Sequence, residues 1–436
     1  MSPLRTNGER LHDDLETLAS FGNNSEGGVD RPSFSEADSS ARAWLVDRCK
    51  QAGFGVREDG IGNLFIRTDP EDDRAAQRLP VWTGSHIDSV PNGGRYDGAA
   101  GVVAALEAVR CLREQRVPLT RPVEVVVWSD EEGCYQGLLG SGTLVDGLSA
   151  DDLDGIVGRE GRSLRRALQD SGRDPDAALG VRQERPVAHS YLELHIEQGN
   201  RLEDAGADIG VVTGIVGLVH GQAVFTGRAD HAGTTAMDRR RDALRSAAAF
   251  VLGLPRLPAE LGRADAVVTC GDVRVAPGAD NIVPSEAVCR LDFRDPESHG
   301  LESLRDAVVA AGHRCAADHE TTVDFQWAHL ADPVFMDADL QQLVASVSDQ
   351  LGFRSMPLPS RAGHDAQKIA TVAPTAMVFV PSKDGRSHCP EEYTAPDQLA
   401  RGADVLVNAL AELAASPPSG TTSRSDREPE ERHGPA

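Results

Sequence analysis

Residues 81–133 read VWTGSHIDSVPNGGRYDGAAGVVAALEAVRCLREQRVPLTRPVEVVVWSDEEG, a strand, helix and strand in succession. Pro80 to Asp88 reads as a buried strand. Gly98–Gln115 carries Ala, Val and Leu at helical spacing, and Val123–Trp128 is a continuous apolar run of the kind covered on both faces. Strand, helix and strand in that order predict an α/β domain with helices on both faces of its sheet.

Upstream, an amphipathic helix over Met1 to Phe21 precedes a polar loop from Asn23 to Asp38 and a helix from about Ser39 to Ala52. Gly55–Thr68 reads as two short strands around the turn Asp59-Gly60, and Asp69–Arg78 as an acidic surface loop. Downstream the pattern changes. A strand (Gly217–Phe225), a helix (Arg241–Leu254), two strands (Ala266–Arg274 and Glu286–Arg294) and a helix (Leu301–Ala311) suit a small inserted α+β domain. The α/β pattern resumes at Asp337–Leu351, continues in Thr375–Val380 and ends in a helix at Gln398–Ala415. The expectation is a discontinuous catalytic domain over 1–212 and 329–415, an insert over 213–328, and a disordered Pro/Ser/Glu/Arg tail over 416–436.

The 436 residues include 44 Lys and Arg against 68 Asp and Glu, a net charge of −24. Such a surface repels phosphate backbones and anionic membranes, and the basic runs Arg165-Arg166 and Arg239–Arg241 are too short to reverse this. Seven cysteines (49, 111, 134, 270, 289, 315 and 389), odd in number and without a C-x-x-C pair, read as reduced thiols. With no apolar leader at the N-terminus and no membrane-spanning run, the expectation is a cytoplasmic protein that binds neither nucleic acid nor membrane.

Chemistry-bearing residues sit at strand ends and glycine turns. His86 and Asp88 close the first strand on one face, where a carboxylate can fix an imidazole for a metal, although H-x-D on a strand is commonly incidental. Asp97, in Gly93-Gly94-Arg95-Tyr96-Asp97-Gly98, can cap the following helix or bridge two cations. Asp130-Glu131-Glu132 follows the apolar strand and is either a solvated loop or a site at the carboxyl end of a sheet. His195 and His388 each stand beside acids, where a structural histidine is the ordinary reading. Together, three histidines and three acids make the inventory of a two-metal hydrolytic site suited to zinc or manganese, with cobalt or nickel as alternatives.

The motifs GSHIDSV (84–90), GGRYDG (93–98), SDEEG (129–133), LELHIEQG (192–199), GRADHAGTT (227–235), AGHDA (362–366) and VFVPSKDGRSHCPEE (378–392) resemble those of the amidase, hydantoinase/carbamoylase family. That family of dimetal amidohydrolases includes N-carbamoyl-L-amino-acid hydrolases, allantoate and ureidoglycolate amidohydrolases and β-ureidopropionases. The resemblance implies a metallopeptidase-like catalytic domain, with a central mixed sheet flanked by helices, and an inserted dimerisation or lid domain. It implies that His86, Asp97 and His195 hold one metal and Asp97, Glu132 and His388 the other, with Asp88 behind His86. Glu131 would be the general base. His231, reaching into the partner's site of a homodimer, would stabilise the oxyanion and contact substrate. Gln198, Asn281, Arg294, Gly363 and His364 would contact a small carboxylate substrate.

The implied reaction is hydrolysis of a linear ureido C–N bond in an N-carbamoyl-L-amino acid or related acid, releasing ammonia and carbon dioxide. The alternatives are allantoate hydrolysis and cleavage of a plain amide by a peptidase or deacylase; an inactive binding protein is disfavoured by the intact Glu131. Three positions depart from the family pattern and bear on the substrate: Leu218 for a usual Gln, Ala236 for a usual Pro and Arg361 for a usual Gly.

Overall fold

Side-chain alternation along Val123–Trp128 sets the layers. Val123, Val125 and Val127 join the apolar core on one face of a sheet, while Val126 and Trp128 join the core on the other. The computed structural model describes residues 3–182 and 187–415, so the expected tail lies outside the described residues.

The strands are β1 (Gly55–Glu58), β2 (Leu64–Thr68), β3 (Val81–His86), β4 (Val123–Trp128), β5 (Ser190–Ile196), β6 (Ile209–Ile215), β7 (Gly217–Thr226), β8 (Val267–Ala276), β9 (Glu286–Asp295), β10 (Thr322–Ala331), β11 (Val334–Phe335), β12 (Ser355–Ser360) and β13 (Thr375–Val380). Nine form a mixed sheet in the order β1-β2-β4-β3-β5-β13-β6-β11, with β12 also paired to β6. Its centre, β4-β3-β5-β13, is parallel, so all four carboxyl ends reach one edge. His86 ends β3, Ser129 to Glu132 follow β4, His195 lies near the end of β5, and the His388 loop follows β13. An open parallel sheet of this kind gathers its site at that edge.

The helices Gly8–Ser20, Ala99–Glu114, Ala338–Gln350 and Pro396–Ala415 contribute to the core on one face. Short helices between Leu139 and Ala178 help cover the other, where Phe65, Trp82, Trp128 and Tyr191 pack edge-on or tilted. The chain leaves the large sheet at Ile215 and regains it at Val334. Between them lies an antiparallel sheet, β10-β7-β9-β8. Its inner face (Ala287, Cys289, Leu291 and Phe293 on β9) packs on the helices Ala243–Gly253 and Ser298–Asp318, leaving Arg290, Asp292 and Arg294 on the other. Ile215 lies just inside the expected limits of 213–328 and Val334 beyond them, and β6 and β10 run across those limits.

The sequence reading left β6, β10 and β12 unassigned, and the acidic loop at 69–78 contains one helical turn, Asp73–Ala76. Among the described residues no helix is long and apolar enough to cross a membrane.

Candidate metal centre

Glycine builds the first wall of the site. Gly98 takes φ +61°, and a Cβ there would strike the His86 ring. It is Gly98, not Asp97, that occupies the N-cap of the helix Ala99–Glu114, and no side chain caps that end. The Asp97 carboxylate is thereby left for other work. Its Oδ1 lies 3.1 Å from His195 Nε2 and 3.6 Å from His86 Nε2, while its Oδ2 lies 3.2 Å from His388 Nε2. His388 Nε2 is in turn 3.5 Å from Glu132.

The prospective ligand atoms of His86, Asp97 and His195 lie within 4.8 Å of one another, as do those of Asp97, Glu132 and His388. His86 Nδ1 contacts the Asp88 carbonyl at 3.1 Å and His195 Nδ1 the Ile196 carbonyl at 2.9 Å. A carbonyl only accepts, so each Nδ1 carries the proton and each Nε2 presents a lone pair to the cluster. His86 Nε2 and Glu132 Oε1 are buried without a hydrogen-bond partner among the described residues. Buried, convergent and unsatisfied donor atoms of this kind fit divalent cations.

Electrostatics point the same way. Burial opposes charge on His86, yet Glu131, Asp88 and Asp97 outweigh it and push the ring well above its usual range. Burial alone would raise Asp97, but the facing imidazoles of His195, His388 and His86 hold it well below the usual carboxylate range. Burial, reinforced by Asp97, lifts Glu132 to about 7, while a hydrogen bond to Asp97 lifts His388 to about 9. An acid-rich cluster demands positive charge, which protons or metal cations can each supply.

Glu131 stands 3.6 Å from His86 Nε2, and burial holds its carboxyl well above the usual range. Its backbone is steered from two sides. The Asp88 carboxylate accepts the N–H groups of Glu131 (3.4 Å) and Glu132 (3.1 Å). Asp130, at φ +56°, turns its own carboxylate away to accept the N–H groups of Cys134, Tyr135 and Gln136 at 2.8 to 2.9 Å. Three consecutive acids therefore point in different directions.

Gln198 Nε2 donates to Asp97 Oδ2 at 2.8 Å, and Gln198, Arg294 and His388 line a common cavity of about 400 Å³. Arg294 is oriented by Asp292 and donates to the Arg361 carbonyl at 2.6 Å. Gly363 lies exposed beside Ala362 on the cavity wall. His364, expected to touch substrate, is instead buried behind His195, with ring centroids 4.5 Å apart and its Nε2 2.8 Å from Ser360 Oγ. His231 and Asn281 are paired with each other's neighbours, Ala232 N–H donating to the Asn281 carbonyl at 3.0 Å, and neither lines that cavity. Leu218 lies opposite Arg294 in the β7–β9 register, while Gln222, four residues on, donates to Gln326.

Two buried acids beside the cluster were given no role from the sequence. Glu392 accepts the N–H groups of Tyr96 and Asp97 at 2.8 and 3.0 Å and a hydroxyl from Ser387. Glu193 lies beneath the histidines, bonded to Ser85, Tyr191 and the Ala366 N–H. The repeated acids in Glu391-Glu392 were the only signal for the first, and an acid inside an apolar strand for the second.

With this geometry in place, the chain belongs to the peptidase family M20/M25/M40, whose profile matches residues 82–412. It is 38% identical to N-carbamoyl-L-amino-acid amidohydrolase of Paenarthrobacter aurescens, over 95% of this chain and 100% of that protein. It is 34% identical to allantoate amidohydrolase of Bacillus subtilis (strain 168), over 93% of this chain and 97% of that one. A crystal structure of an amidase of the hydantoinase/carbamoylase family from Burkholderia multivorans matches with a TM-score of 0.87 at 35% identity, covering 95% of this chain and 99% of its own. The likeness read from the seven motifs thus extends over nearly the whole chain, and the relatives are amidohydrolases.

Proposed function

We propose that the protein hydrolyses the linear ureido C–N bond of an N-carbamoyl-L-amino acid or a related ureido acid, releasing ammonia, carbon dioxide and the amino acid. The observation that carries this reading is Asp97, whose two oxygens face different histidines at the edge of a cavity that also holds a guanidinium. His86, Asp97 and His195 would hold one divalent cation, and Asp97, Glu132 and His388 a second, with zinc or manganese best suited to this donor set. When bound, the pair supplies Lewis acidity that makes water nucleophilic near neutral pH and polarises the scissile carbonyl.

The chain's own groups do the rest. Glu131, whose burial raises its proton affinity, accepts the proton of the attacking water and passes it to the leaving nitrogen. Arg294 offers a planar fork for the substrate carboxylate, and Gln198 orients the ureido group beside Asp97. His364 supports His195 from behind. His231 Nδ1 accepts the N–H groups of Gly233 and Thr234, so its Nε2 carries a proton and can donate to an oxyanion. His231 is exposed and, with Asn281, stands off this cavity, which favours their serving the site of a second copy in a homodimer. Free thiols at all seven cysteines favour a cytoplasmic setting.

Ammonia release from allantoate, ureidoglycolate and several N-carbamoyl-L-amino acids, with N-acetyl amino acids and dipeptides beside them, tests this after reconstitution with manganese or zinc. Turnover of a ureido compound is the expected result. Silence on every ureido compound, with amino acid released from an acyl or peptide substrate, would overturn it.

A further inference from the structure

The cavity beside the candidate metal centre contains more positive charge than one substrate carboxylate requires. Arg201, Arg294 and Arg361 all line it, with Glu197 as the carboxylate among the lining residues. Glu197 is already engaged: its two oxygens accept the N–H groups of Arg201 and Leu202, each at 2.8 Å. Arg294 has its own counter-ion in Asp292, which takes both Nε and Nη2. The other two guanidiniums share one acid. Arg201 lies 2.8 Å from Asp265 Oδ1, and Arg361 reaches the same oxygen from 3.4 Å. Arg201 and Arg361 therefore share one carboxylate, with no ion pair from either to Glu197 among the described residues, and Arg361 Nε is buried with no hydrogen-bond partner among them. A buried donor left unmatched costs stability unless something accepts from it.

Placement gives the surplus a direction. Arg201 follows the Gln198 turn and Arg361 follows β12, both on the catalytic side, whereas Asp265 and Arg294 come from the insert. The Arg294 fork and the Arg201–Arg361 pair thus face one hollow from two sides of the seam, with the Arg361 carbonyl accepting from Arg294 at 2.6 Å. Among the three departures from the family pattern, Arg361 is the one that adds charge here, in a loop where glycine is usual.

We infer that Arg201 and Arg361 form a second anion subsite, and that the preferred substrate is a ureido acid bearing a second carboxylate on its side chain. One carboxylate engages Arg294, and the other takes the guanidiniums that Asp265 leaves half-neutralised. Charge-assisted bonds from a fork of N–H donors favour a carboxylate over its amide isostere, which presents an NH2 group to donors. This inference rests on the ureido-acid reading for the scissile bond, but not for the anion preference.

The test compares kcat/KM for N-carbamoyl-L-glutamate with that for N-carbamoyl-L-glutamine, and likewise the aspartate and asparagine pair, on metal-loaded enzyme. The acid of at least one pair should be favoured by about tenfold or more, as expected for a charge-assisted bond. Arg361→Gly and Arg201→Gln should each reduce that ratio severalfold, with Arg361→Lys retaining more of it than Arg361→Gly. Competitive inhibition of the wild-type enzyme by L-glutamate against L-glutamine reads the same preference without any variant or any ureido chemistry. Equal or reversed preference in both pairs overturns the proposal, as does a preference that survives both substitutions unchanged. Should no ureido compound turn over, the reaction assignment fails by itself, and N-acetyl-L-glutamate against N-acetyl-L-glutamine still decides the subsite.

Discussion

Asp97 owes its orientation to a residue far along the chain. Glu392 accepts the Tyr96 and Asp97 N–H groups, and a Cβ at Gly94 would run into its carboxylate. Such supporting contacts govern how well ligands hold a metal, so Glu392→Ala should weaken metal affinity about 10- to 100-fold. Chelator competition against the bound ion would read this, and unchanged affinity would remove Glu392 from the site. Gly94→Ala should act in the same direction. The candidate ligands drew notice because histidines and acids recur at strand ends and glycine turns. The part played by Glu392 did not, since it accepts N–H groups contributed by residues remote in sequence, and Asp130, noted with Glu131 and Glu132, turns away to accept N–H groups of its own loop. The AGHDA motif drew attention to His364, and the fold sets it behind His195, bonded to Ser360.

Strands covered on both faces were the easiest elements to read: β13 is apolar after Thr375, β4 is interrupted only by Glu124, and β3 opens on Val81-Trp82 and is buried throughout. β12 was hidden by its composition. Ser355–Ser360 contains two prolines, which cannot donate to a ladder, and it pairs only with β6, as prolines at a sheet margin allow. β10 carries a period-two alternation, Val323, Phe325 and Trp327, that was visible but left unassigned. The buried end of β4 carries a stability prediction. Trp128 is fully buried, edge-on to Phe65, Trp82 and Tyr191, and its Nε1 donates to the Tyr191 hydroxyl. Trp128→Ala should destabilise the protein by about 3–5 kcal/mol in urea unfolding. A loss under about 1 kcal/mol would mean that this aromatic layer is not tightly packed.

At the level of the molecule, two sheets meet at a seam where Asp265 and Arg294 of the insert touch Arg201 and Arg361 of the larger unit. The change in element order marked the stretch that forms the second sheet, and β6 and β10 cross the expected limits of 213 and 328. If His231 serves the site of a second copy, mixing Glu131→Gln with His231→Ala subunits should restore about a quarter of wild-type activity from two nearly inactive proteins. Failure to recover activity, with subunit exchange verified, would place His231 in its own chain's site or outside the chemistry.

The central claim is that Glu131 moves the proton while its neighbours hold two cations. Metal content and ammonia release measured together on Glu131→Gln test it most directly. The expected result is about two ions per chain, as in the wild type, with turnover reduced by about 100-fold or more. Undiminished turnover at full metal content would contradict it.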